Sequence, residues 1–160
     1  MRPGRGFTLV ELLLVVTVMG ILSGILVPVF SSFTLSARLD AASRVLADDF
    51  RLARSRAIAT QRVQGLVFDA DNDNYYAYDS VLTTYAQDPL TKKSLSRNYR
   101  SDGRFKGVDL VQAAFPQGAK AGFNSIGSPD GGGTVILELN QARKTITVDA
   151  GTGRVRISGG

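Results

Sequence analysis

The chain has 160 residues, a formal charge of +5, and neither cysteine nor histidine. Without cysteine there are no disulfides, no thiol chemistry and no thiolate metal sites. Without histidine the commonest general base and the commonest zinc ligand are missing, so the chain reads as a non-enzyme with no cofactor and no metal.

From Phe7 to Phe30 everything is apolar, small or hydroxylic except Glu11. About 20 such residues in a helix cross the hydrocarbon core of a bilayer, which makes 7–30 the expected transmembrane segment. Arg2 and Arg5, with no acid before Phe7, hold the extreme N-terminus on the cytoplasmic side. A carboxylate at the bilayer centre costs about 2.5–3.5 kcal/mol, so Glu11, one turn into the segment, needs a reason to be there. A cleaved secretory signal would be shorter and end at a small-residue site, where this chain has Val27-Pro28-Val29-Phe30. A plain signal anchor leaves Glu11 unexplained.

The run Gly6-Phe7-Thr8-Leu9-Val10-Glu11-Leu12 resembles the class III signal of type IV pilins and of the pseudopilins of type II secretion. The resemblance implies that residues 1–6 are a leader cut off after Gly6 by prepilin peptidase. Phe7 then becomes the methylated N-terminal residue, and Glu11 serves filament assembly. It also implies the surroundings: a single-pass protein of the bacterial inner membrane with a periplasmic C-terminal domain, entering a pseudopilus with other pilins or pseudopilins. An inner-membrane assembly platform and membrane lipid complete the expected partners. A Glu11 carboxylate paired with a neighbour's Phe7 amine in a low-dielectric core would favour one axial register. The competing reading pairs Glu11 with its own helix N-terminus.

Pro28 removes a helical hydrogen bond to Gly24, and Gly20 and Gly24 form a G-x-x-x-G step, so Gly20, Gly24 and Pro28 mark an expected helix bend. Residues 31–160 then read as an amphipathic helix followed by a globular β domain. Between Ser36 and Arg62 there is no Gly or Pro, and Leu39, Ala42, Leu46, Phe50, Ala53 and Ala57 recur at three- and four-residue steps. This helix is expected to reach about Thr60 and to pack that stripe on the domain. Without Arg2 and Arg5 the charge falls to +3, and roughly 100 residues remain for one modest domain.

Past Arg62 the pattern changes to strands, with Val63–Phe68 and Tyr75–Tyr78 flanking a turn rich in Asp and Asn. Asp69, Asp71 and Asp73 superficially suit a calcium loop, but Asn74 stands where glycine is needed and Ser80 where glutamate is needed, so a solvated turn is expected. Residues 83–104 read as a long basic surface connection. In the C-terminal third, runs at 134–139, 144–148 and 154–157 make an antiparallel meander. Its glycines lack the Gly-Lys-Ser/Thr of a phosphate loop.

The helix Leu46–Ile58, the Phe123-x-x-x-Gly127 segment and the terminal Gly153-Arg154-Val155 are similar to the GspH/FimT group of pilin-like proteins. The expectation is therefore an α+β pilin-like fold, a long N-terminal helix packed on an antiparallel sheet, acting as a minor pseudopilin in protein export. The alternative is a minor type IV pilin of the FimT kind, in pilus assembly or DNA uptake. Period two puts Arg154 and Arg156 on one face of the last strand, and Arg143 and Lys144 are candidates to extend the patch. Such a patch admits DNA phosphates. Protection of an open sheet edge is the favoured reading at this low net charge, with no aromatic in the strand to stack a base.

Overall fold

The computed structural model describes residues 7–80, 86 and 94–159, without the side chains of residues 25–33. The element order is one helix, α1 (Leu9–Thr60), then β1 (Gln64–Asp69), β2 (Asn74–Asp79), β3 (Ser96–Asn98), a 3-10 turn (Gly103–Phe105), β4 (Asp109–Ala114), β5 (Lys120–Phe123), β6 (Gly133–Leu139), β7 (Ala142–Val148) and β8 (Val155–Gly159). The chain divides into two compact units, residues 1–35 and 36–160.

In the second unit the strands form two antiparallel four-stranded sheets, ordered β3-β2-β1-β5 and β4-β6-β7-β8. Each sheet buries its alternate residues. Leu66, Phe68, Tyr75, Ala77, Ala121 and Phe123 come from the first sheet, and Leu110, Val135, Leu137, Ile146 and Val148 from the second. The expected stripe Leu39, Ala42, Leu46, Phe50, Ala53 and Ala57 is buried at every position. Phe50 lies 5.8 Å from the Phe68 ring and 6.2 Å from Phe115, centroid to centroid. These tilted contacts seat the helix in an aromatic cluster that continues through Tyr75 to Tyr99. The α+β, pilin-like architecture expected from the sequence is the one observed.

Gly65 shows why one strand position has no side chain. A Cβ there would lie 2.0 Å from the Ala121 carbonyl oxygen and 2.7 Å from Tyr78 Cε1. The Tyr78 ring crosses the space that the missing side chain leaves, and burial pushes its phenol up to about 12.

Two expectations are corrected. The region 83–104 is not a plain surface connection where the structure describes it. Ala86 accepts from Leu95 N–H and donates to the Ala77 carbonyl, both at 2.8 Å, Ser96–Asn98 is a strand on β2, and Tyr99 is fully buried. Its apolar residues are too widely spaced to show a period; Lys92, Lys93 and Tyr85 lie outside the described residues. The Asp-rich turn is also more than a solvated turn. Asp73 is buried, its Oδ1 accepts from Leu110 N–H at 2.9 Å, and its Oδ2 accepts from Arg100 Nε at 2.6 Å. It ties the β1–β2 turn to the first strand of the other sheet.

Candidate functional site

In the first unit, α1 starts where its sequence supplies a cap. Thr8 Oγ1 accepts a hydrogen bond from Glu11 N–H at 3.2 Å, and Leu12 N–H reaches the Thr8 carbonyl at 3.2 Å. Thr8-Leu9-Val10-Glu11 is thus the Thr-x-x-Glu pattern of a capping box, with Glu11 at its third helical position. The pattern is legible in the sequence itself. It gives Glu11 a local role beside the helix's positive end.

Beyond the cap the surface is apolar all round. Leu12, Leu13 and Leu14 are consecutive, and each is about three-fifths exposed, as are Val16, Met19 and Ile21. Thr17 donates to the Leu13 carbonyl at 2.7 Å and Ser23 to Met19 at 2.8 Å, so these hydroxyls are satisfied within the helix. Such a helix asks nothing of water except at Glu11. Among the described residues no helix is long and apolar enough to cross a membrane; the expected span 7–30 runs into residues 25–33, whose side chains lie outside them. Gly6 and the rest of the expected leader also lie outside. Of the bend residues, Gly20 and Gly24 are helical and a Cβ on either would touch nothing within 4 Å, while the Pro28 side chain is not described.

In the second unit the four basic residues singled out from the sequence do not converge. Arg143 lies opposite Glu138 on β6 and pairs with it at 2.6 Å. Lys144, half-buried, pairs with Asp40 of α1 at 2.9 Å. Arg156 lies opposite Thr147, near the other end of β7. Arg154 and Arg156 are exposed on or beside β8, the outer strand of its sheet, and Val155 between them is half-buried.

A buried polar cluster was missed by sequence reasoning. Asp49 on α1 accepts from Tyr75 Oη at 2.7 Å and from Arg97 Nε at 3.1 Å, and only 5% of it is exposed. Desolvation first, and the nearby Tyr99 and Asp49, hold the Tyr75 phenol well above its ordinary value. Asp49 sits three residues after Leu46 and four before Ala53, inside the apolar stripe, and that placement was the available signal. The cluster is structural: it spends Arg97 on the core instead of on a ligand.

Comparison with known proteins matches the chain at both ends. Residues 1–27 match the prokaryotic N-terminal methylation motif, and residues 42–153 match the type II transport protein GspH. The chain belongs to the GspH family. No curated protein sequence matches it. Among solved structures, the minor pseudopilin EpsH from the type 2 secretion system of Vibrio cholerae has a TM-score of 0.59 at 13% identity, over 76% of this chain and 97% of that one. The type IV minor pilin FimU of Pseudomonas aeruginosa has a TM-score of 0.57 at 15% identity, over 79% and 92%. At these identities the likeness is one of fold. This GspH-family chain is type IV pilin-like, and its family and structural neighbours are pilin and pseudopilin subunits, not enzymes.

Proposed function

We propose that this chain is a minor pseudopilin, a structural subunit of a type II secretion pseudopilus that exports folded proteins. Prepilin peptidase cuts after Gly6 and methylates Phe7. The N-terminal helix is held in the inner membrane, with the globular unit in the periplasm, until an assembly platform passes it into the filament. The observation that carries this reading is the apolar surface of Leu9–Leu22 with one carboxylate in its first turn. A surface of that kind is stable only in lipid or against like helices. The exposure of Glu11 supports a pairing with a neighbour's methylated amine.

The test is Glu11→Ala in a strain that carries the rest of the machine. Cleavage and the folded globular unit persist, and cross-linking to other pseudopilins drops. Cross-linking equal to wild type would remove the interchain role and leave Glu11 as a cap residue.

A second reading, a minor type IV pilin in pilus assembly or DNA uptake, draws on the FimU-like fold and on the exposed Arg154 and Arg156. Duplex DNA bound at low salt and lost in the Arg154→Ala, Arg156→Ala double variant would favour it.

A further inference from the structure

Within the globular unit the C-terminal part of α1 and the start of β8 enclose a groove of about 420 Å³. Arg51, Arg54, Ser55 and Ile58 line it from the helix, and Arg154 and Val155 from the strand side. The helical residues are spaced three, one and three apart, which puts them on one face. Their guanidinium groups differ in what holds them. Arg51 is engaged by Asp48 across one helical turn. Arg54, half-buried, and Arg154, exposed, have no ion-pair partner among the described residues.

The loop behind the groove fixes its floor. Gly127 has φ +79°, a conformation that favours glycine. A Cβ added there would lie 2.7 Å from Ile58 Cδ1 and 3.2 Å from Arg54 Nε. The bare backbone of Gly127 therefore sits against both side chains. Ile58 remains 48% exposed, and Val155 is half-buried, so the floor is apolar and open.

Unpaired guanidinium groups over an apolar floor match one chemistry best. A guanidinium binds a carboxylate through two parallel hydrogen bonds, and the floor takes an aliphatic side chain. We propose that this groove docks an acidic protein segment in which two carboxylates flank an apolar residue. The carboxylates meet Arg54 and Arg154, and the apolar side chain rests on Ile58 and Val155. Nucleic acid fits less well, since no aromatic lines the groove to stack a base. Arg143 and Lys144, at the far end of β7, are engaged by Glu138 and Asp40 and do not extend the charge of the groove. This site lies in the globular unit and goes beyond the assembly role proposed for the N-terminal helix.

The experiment uses the full chain in a neutral detergent and reads the anisotropy of a labelled peptide, Gly-Asp-Leu-Glu-Gly. Its uncharged counterpart is Gly-Asn-Leu-Gln-Gly. The acidic peptide binds, the uncharged one binds at least about tenfold more weakly, and raising salt from about 50 to about 300 mM weakens the acidic one severalfold. Arg154→Gln and Arg54→Gln each cost about tenfold, while Arg143→Gln changes nothing. Arg154 is exposed, so its variant carries the test even if Arg54→Gln fails to fold. Equal binding of the two peptides, or full binding by Arg154→Gln, overturns the proposal. So does short duplex DNA binding under conditions where the acidic peptide does not.

Discussion

The two compact units share one helix by sequence and treat it in opposite ways. Between Leu9 and Leu22 the large side chains of α1 face outward: Val10, Leu13, Met19 and Ile21 are all more than three-fifths exposed. After Ser36 the stripe Leu39, Ala42, Leu46, Phe50, Ala53 and Ala57, at three- and four-residue steps, faces inward, and Leu39, Leu46 and Phe50 are at most 1% exposed. Helical hydrogen bonding is the same in both. What differs is where the apolar surface goes. The globular unit covers its own stripe with two sheets, whereas the N-terminal unit by itself leaves the apolar side chains of Leu9–Leu22 uncovered.

The largest effect that would separate the units is loss of a core ring. Phe50→Ala should cost about 3–5 kcal/mol in chemical denaturation of the globular unit. Leu13→Ala, on the exposed surface, should change that stability by no more than about 0.5 kcal/mol. A large loss with Leu13→Ala would break the contrast. Next comes the polar part of the core. Asp49→Asn keeps the shape but removes the charge that Tyr75 and Arg97 share, and should cost about 1–3 kcal/mol by the same measurement, tempered by the partial exposure of Arg97.

Smaller again is the helix start. Thr8→Ala should cost about 0.5–1 kcal/mol of local helix stability, read as faster amide exchange at Glu11, with no change in the globular unit. The smallest is electrostatic. Hydrogen bonds from the Arg104 side chain and then its backbone N–H hold the Asp102 carboxyl down at about 2. Since this lies below the unfolded value of about 3.9, its contribution is whole above that pH and is lost as the pH falls through the folded value. Titration of Asp102 by NMR should show the low midpoint, and Arg104→Gln should raise it.

Much of the fold was legible because its signals are periodic. The six-residue stripe, the β1–β2 hairpin and the C-terminal meander all depend on one buried face and one wet face, and period alone finds them. Asp49 and Asp73 were not legible in that way. Each is a buried acid whose partners are far along the chain, Arg97 for the first and Arg100 and Leu110 for the second. For the same reason Arg97 and Arg100 looked like part of a solvated basic loop. Arg143 and Lys144 looked like neighbours of Arg154 because the sequence does not show how far β7 separates them. The acidic-segment groove joins α1 to β8 across almost the whole globular unit, and only the fold brings those residues together.

Intact-mass measurement tests most directly the proposed maturation of the N-terminal unit into a pilin-type helix. The protein is isolated from cells that contain prepilin peptidase, with Gly6→Glu as the comparison. The account predicts a chain that begins at Phe7 and carries one added methyl group, and a Gly6→Glu chain that keeps residues 1–6 and is unmethylated. A wild-type chain beginning at any other residue, or one that keeps its leader where the peptidase is active, would contradict it.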